Sequence, residues 1–305
     1  MNIMERLNSR IHEMGNPTVA GLDTRLEYMP ADFLKANAPE GVRSAEDAAK
    51  LIIAYNKKLV DSLQDIVPAV KVQAAYYEMY GVPGMQAFAE TLRYAGEHGL
   101  IVMADAKRND IGSTAACYAD AYLGETDLGG SKCRAFEADI LTVNPYLGID
   151  GIKPFLDVCA AREKGIFALV KTSNPSSGQL QDMRFEDGRT LYETVADYLE
   201  AWGEETRGAS GYSALGAVVG ATYPEQGTSL RKRMPHTFFL VPGYGAQGAT
   251  GKDIAGCFDA MGGGAIVNAS RSILCAWKKK DTADFAGAAR DAALAMRADL
   301  RASIG

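Results

Sequence analysis

The sequence is poor in the residues that build metal centres and disulfide frames. Its 305 residues include five cysteines and three histidines. Cys117, Cys133, Cys159, Cys257 and Cys275 are odd in number, and none stands in a C-x-x-C pair. That usage predicts reduced thiols in a cytoplasmic protein and excludes a disulfide scaffold or zinc site. His12, His98 and His236 stand singly, so histidine acid–base chemistry is a poor first expectation and no bound metal is expected. No apolar run approaches the ~18 residues of a membrane helix. The first fifteen residues carry Glu5, Arg6, Arg10, His12 and Glu13 where a signal peptide would be apolar, and read as a polar helix. Basic residues are outnumbered, 32 Lys and Arg against 38 Asp and Glu, for a net charge of −6. Nucleic acid is therefore not an expected partner, and any phosphate ligand should be small and held by a focused site.

What is present is ordinary globular composition, 47% apolar and 23% charged, which excludes a disordered, collagen-like or coiled-coil chain. Short apolar runs recur at 18–23, 69–73, 101–105, 139–144, 166–173, 216–220, 237–242 and 265–269. Their β-rich, near-continuous apolar character fits parallel strands covered on both faces. Helical patterns lie between them, at 44–64, 84–98, 112–122, 152–164, 190–207, 225–233, 252–261 and 282–303. The first of these opens on Ser44, an N-cap followed by acidic Glu46 and Asp47.

At about 150 residues per domain the length predicts two domains, but an α/β barrel runs about 200–250 residues as one. Eight strands alternating with helices is the (β/α)8 count. A doubly wound sheet would lead from its first strand into a Gly-rich phosphate turn; here that strand runs into GLDTRLEYMP. The expected fold is therefore a single α/β TIM barrel spanning 1–305, with an N-terminal helix. No fused second catalytic domain is expected. The excess length falls in polar insertions near 24–43, 124–137 and 174–189. The first and third follow strands, which places them at the catalytic face. The second follows a helix, and belongs at the opposite face or a subunit contact.

Charge stands where a barrel should be apolar. Strand 1 ends at Asp23, strand 2 carries Lys71, and strand 3 ends in Asp105-Ala106-Lys107, with Asp110 on the following loop. Alternation puts Asp105 and Lys107 on one face. Such charges are costly to desolvate unless paired. They form either a structural ion-pair network or a preorganised site; convergence from several strands favours the site. A second group follows strands 7 and 8, the common phosphate position of this architecture. Strand 7 runs into VPGYGAQG (241–248) and strand 8 into NASRSI (268–273). Glycines let backbone N–H groups approach an anion; Arg271 adds a planar fork and Gln247 an amide donor. The residues thus point to a small phosphorylated substrate with a Lys/Asp array at its other end. Carbanion chemistry beside a Lys proton donor fits, as does a Schiff base on Lys71, Lys107 or Lys171.

DAKRNDIGSTA (105–115) closely resembles the D-x-K-x-x-D signature of the orotidine 5′-phosphate decarboxylase family, in its longer-chain bacterial form. The resemblance extends through GLD (21–23), VKVQAAYYE (70–78), TVNPYLG (142–148), KTSNPSSG (171–178), VPGYGAQG and NASRSI, in order along nearly the whole chain. It implies conversion of orotidine 5′-phosphate to uridine 5′-phosphate in pyrimidine nucleotide synthesis, with no cofactor. By motif, Lys107 would protonate C6, Asp105 would lie beside the substrate carboxylate and hold Lys107, and Lys71 would pair with Asp105 and reach the ribose. Asp23 would bind a ribose hydroxyl. Asp110 and Thr114 would reach the partner's site in a homodimer. Ser173 matches the residue that reads the pyrimidine, with Ser176 and Ser177 as alternatives in a longer loop. Gln247 and Arg271 match the phosphate grip, with Pro242 lining the pocket. Ser270 stands where many members have Gly. Residues 174–188 are the lid candidate. The rivals are a magnesium-dependent sugar-phosphate enzyme of the same suprafamily, expected to carry an acidic ligand where strand 2 has Lys71, a Schiff-base aldolase, and a non-catalytic nucleotide sensor.

Overall fold

Runs rich in Val, Ile, Leu and Ala form the eight strands of a closed parallel barrel in the computed structural model, which describes residues 1–245 and 248–304. They are β1 (Thr18–Gly21), β2 (Ala69–Gln73), β3 (Ile101–Arg108), β4 (Ile140–Val143), β5 (Gly165–Lys171), β6 (Leu215–Val219), β7 (Phe239–Val241) and β8 (Ala265–Ala269). Each pairs with its sequence neighbours, and β1 closes against β8 through Thr18–Val267 and Ala20–Ala269. The expected fold class is the observed one. Strand ends are slightly displaced: β1 stops at Gly21, two residues before Asp23, and β3 continues through Arg108.

The major helices are α1 (Ile3–Met14), α2 (Ala45–Leu63), α3 (Gly81–Glu97), α4 (Gly112–Tyr122), α5 (Lys153–Arg162), α6 (Leu191–Trp202), α7 (Pro224–Arg233) and α8 (Phe285–Ile304). Ser44 caps α2 as expected, accepting from Asp47 N at 3.1 Å. The helix predicted over 252–261 is shorter. It is one turn, Gly251–Ile254, followed by a 3-10 turn at Ala255–Cys257. Asp259 then binds the N–H groups of Met261 and Gly263, both at 2.8 Å, and this local turn competes with further helix.

The N-terminal helix is not polar all round. Asn2 and Glu5 form a capping box, while Ile3, Met4, Leu7 and Ile11 are buried. They join one apolar cluster with Val19, Ile101, Met103, Phe167 and Ile266 inside the barrel. Gly165, at the start of β5, faces Ile3 so closely that a Cβ there would lie 2.5 Å from its Cγ2. α1 is thus a plug over the N-terminal mouth. A larger second cluster fills the layer between strands and outer helices.

Two insertions lie at the strand C-termini. One holds a 3-10 turn at Leu26–Tyr28 and a helix at Ala31–Asn37; the other a 3-10 turn at Pro175–Ser177 and a helix at Gly178–Gln181. The insertion near 124–137 precedes β4 and forms a two-stranded piece, Thr126–Asp127 against Lys132–Cys133. Glu125 pins it by pairing with Lys132 and Arg162. Among the described residues no helix is long and apolar enough to cross a membrane.

Candidate active site

Asp105 is the hub of the charged cluster. Its Oδ2 accepts from Lys71 Nζ at 2.7 Å and Gln73 Nε2 at 3.1 Å. Its Oδ1 accepts from Lys107 Nζ at 2.6 Å and Thr142 Oγ1 at 2.8 Å. The carboxylate side chain is only 8% exposed and Lys71 5%, whereas Lys107 is 44% exposed. Lys71 Nζ also lies 3.5 Å from Asp23 Oδ1, and that buried oxygen makes no aligned hydrogen bond among the described residues. Burial opposes charge on Asp105, but Lys71 and Lys107 outweigh it and hold the carboxyl well below the usual carboxylate range. Burial likewise opposes charge on Lys71, and Asp105 and Asp23 outweigh it, so its ammonium is held above the ordinary lysine range.

Asp105 and Lys107 do meet, but not through regular alternation. Lys107 has φ +48°, and the register of β3 against β4 shifts between Ala104 and Arg108. Thr142 fills the gap, accepting from Lys107 N at 3.0 Å. A non-glycine residue in the left-handed region is strained, and here the strain aims the ammonium back onto Asp105.

The cluster forms one wall of a cavity of about 330 Å³ at the C-terminal mouth of the barrel. Leu169, Val218, Leu240 and Pro242 make an apolar side, and Ser173 and Asn174 a polar one. A second cavity of about 400 Å³ shares Asp23, Pro242 and Asn268 with it and adds Arg25, Ser270 and Arg271. The two adjoin across those three residues: an apolar and charged chamber beside a cationic one. Two glycines make room for this layout. A Cβ on Gly21 would lie 1.9 Å from Ser270 Oγ, and one on Gly220 would lie 2.8 Å from Ser173 N.

The structure thus brings together Asp23, Lys71, Asp105, Lys107, Ser173, Pro242, Ser270 and Arg271 around these chambers. Of the three candidate serines only Ser173 lines the cavity; Ser176 is exposed and the Ser177 hydroxyl is buried elsewhere. Asp110 and Thr114 line neither chamber of their own chain: Asp110 binds Ile111 N at 2.8 Å and Thr114 is exposed. Gln247 lies outside the described residues. Lys171, a Schiff-base candidate, is not in the cavity wall; it is buried behind it against Asp182 at 2.6 Å. Sequence reasoning missed Gln73, Thr142, Asn268 and Arg25. Gln73 shares the strand face of Lys71, and Thr142 and Asn268 are polar residues in apolar strands, so pattern was available for those three. Arg25 had no such signal. Among the described residues no cluster of three His, Cys, Asp or Glu side chains is placed to hold a metal ion.

The family model for the orotidine 5′-phosphate decarboxylase / HUMPS family matches residues 42–284. The chain belongs to this decarboxylase family. It is 43% identical to the orotidine 5′-phosphate decarboxylase of Rhodopirellula baltica over 307 residues, with 99% of each chain covered. It is 40% identical to that of Caldicellulosiruptor saccharolyticus, covering 100% of this chain and 99% of the relative. Among solved structures, Leishmania donovani OMP decarboxylase matches with a TM-score of 0.74 at 30% identity over 99% of both chains. In this member of the decarboxylase family, each of the ordered motifs that carry the resemblance includes a strand's C-terminal end or the loop that follows it, and several of them run on into the next helix.

Proposed function

We propose that the protein decarboxylates orotidine 5′-phosphate to uridine 5′-phosphate, and that residues 1–305 work as one barrel unit. The observation that carries the mechanism is Asp105 held between two ammonium groups in a largely closed wall. The nucleotide lies across both chambers, its phosphate in the cationic one with Arg271, Gly243 and Tyr244. The pyrimidine occupies the apolar chamber beside Leu169, Leu240 and Ser173. Asp23 and Lys71 meet the ribose hydroxyls.

The substrate's C6–carboxylate bond breaks toward Asp105 and Lys107. Its electron pair stays on C6, carbon dioxide departs, and the Lys107 ammonium donates a proton to C6. Neutral Lys107 is then reprotonated from solvent, which its partial exposure allows. An ammonium fixed at C6 gains more from the developing carbanion than from the ground state, and that difference lowers the barrier. No external electron acceptor or metal is needed to balance this step.

The site is completed by a second copy. Asp110 and Thr114 line neither chamber of their own chain, and the adjacent Ile111 is exposed, as are Tyr146 and Leu147. Those exposed apolar side chains suit a symmetric homodimer in which each Asp110 approaches the partner's site. Five free cysteines suit a reducing, cytoplasmic setting. Lys107→Ala should lose nearly all turnover yet still bind uridine 5′-phosphate. Mixing it with Asp110→Ala subunits should restore activity, because one site of the heterodimer carries both defects and the other none. Near-normal turnover by Lys107→Ala overturns the proton-donor role. Failure of mixed subunits after proven exchange overturns the shared site.

A further inference from the structure

Lys171 is an unexpected place for a positive charge. It ends β5, is 1% exposed, and lies outside the cavity. The register of β5 against β6 shifts between Leu169 and Lys171. Leu169 therefore faces the pyrimidine chamber while Lys171, two residues on, is turned behind it. Its Nζ sits 2.6 Å from Asp182 Oδ1 and 5.3 Å from the ring centroids of both Tyr192 and Tyr223. Asp182 belongs to the insertion, just past the short helix Gly178–Gln181.

The neighbouring residue is held from the same side. Gln181 accepts from Thr172 N at 3.0 Å and donates to Thr172 Oγ1 at 2.8 Å. Thr172 Oγ1 in turn donates to Asn174 Oδ1 at 2.6 Å. Where the strand's own ladder ends, a side chain of the insertion takes over its hydrogen bonds. On the other side Thr222 Oγ1 donates to the Ser173 carbonyl at 3.3 Å, and Gly220 leaves no room behind Ser173.

We propose that Lys171, Asp182 and Gln181 form a clasp that fixes residues 172–174 as the base-recognising wall of the cavity. They are positioning residues: they touch the wall and not the substrate. The inference rests on the nucleotide reading of the site. A buried ammonium is a poor choice for stability alone, since an apolar pair of similar size commonly serves as well. A short ion pair boxed by two rings does specify where the insertion docks.

Two variants test it. Gln181→Ala breaks one half of the clasp without exposing a buried charge. Lys171→Met with Asp182→Asn removes the other half and leaves no unpaired ion. Inhibition by uridine 5′-phosphate is compared with inhibition by ribose 5-phosphate, which lacks the base. Both variants should weaken the nucleotide about tenfold, raise KM by a similar factor more than they lower kcat, and leave ribose 5-phosphate unchanged. Equal losses for both ligands mean general destabilisation and overturn the clasp, as does no loss for either. Binding can be followed by calorimetry without turnover, so an unmodified protein that fails to decarboxylate sinks the reaction and leaves the clasp to be judged on the ligand ratio.

Discussion

Asp105→Asn is the perturbation whose consequences follow most directly from the geometry. The carboxylate takes four donors, two of them ammonium groups within 2.7 Å, and its side chain is 8% exposed. The amide keeps the shape but loses the charge and turns an N–H group toward donors. Lys71, 5% exposed, is left with Asp23 at 3.5 Å as its carboxylate partner. Breaking a buried pair by removing one partner costs about 3–5 kcal/mol. Nearly all of that falls on Lys71, because Lys107 is half-exposed and solvent screens its share. At about 1.6 °C per kcal/mol for a chain of this size, Tm should fall by about 5–8 °C. Adding Lys71→Met should recover most of the loss, since the orphaned ammonium goes with it.

The pH dependence has a definite sign. The folded-state pKa of Asp105 is depressed, so its stabilisation is complete above the ordinary carboxylate value of about 3.9 and is lost as pH falls through the lower folded value. The folded-state pKa of Lys71 is raised, so its share is complete below about 10.4 and is lost as pH rises through the higher folded value. Thermal unfolding by circular dichroism should show a constant gap between wild type and Asp105→Asn from about pH 5 to 9, closing under acid. Turnover should drop at least about a hundredfold, as Lys107 loses its anchor. A loss below about 1 kcal/mol, or strict additivity with Lys71→Met, would refute the reasoning.

Gly21→Ala should cripple substrate binding, because its methyl would collide with Ser270; Ser270→Gly should be tolerated alone and should rescue the pair, as measured by KM. No rescue would mean that Gly21 is needed for another reason. Leu7→Ala, in the fully buried plug, should cost about 2–5 kcal/mol in chemical denaturation while leaving kcat unchanged, since it lies at the opposite mouth. A kcat change of the same size would couple the plug to the chemistry.

The barrel was legible because parallel strands buried on both faces advertise themselves as apolar runs. The Lys/Asp array was legible for the complementary reason, charge standing in those runs. Where the reading went astray, backbone irregularity intervened. Strict alternation brings Asp105 and Lys107 together on paper, but a bulge at Lys107 does so in the fold. The same kind of shift turns Lys171 out of the cavity, which no count of residues shows. The charges of α1 suggest a polar helix, although Ile3, Met4, Leu7 and Ile11 trace an apolar stripe. The end of the 252–261 helix depended on one Asp259 carboxylate binding backbone N–H groups, a local choice that periodicity does not reveal. Gln73, Thr142 and Asn268 are uncharged and give a weaker signal than the charged residues around them.

In the proposed reaction this array protonates a carbanion left by departing carbon dioxide, without help from a metal. The direct measurement is the absorbance of orotidine 5′-phosphate incubated with purified protein in excess chelator. Loss of the substrate band and stoichiometric uridine 5′-phosphate are expected. Activity abolished by the chelator and restored by Mg²⁺, or a substrate–lysine adduct trapped by borohydride, would contradict that reaction.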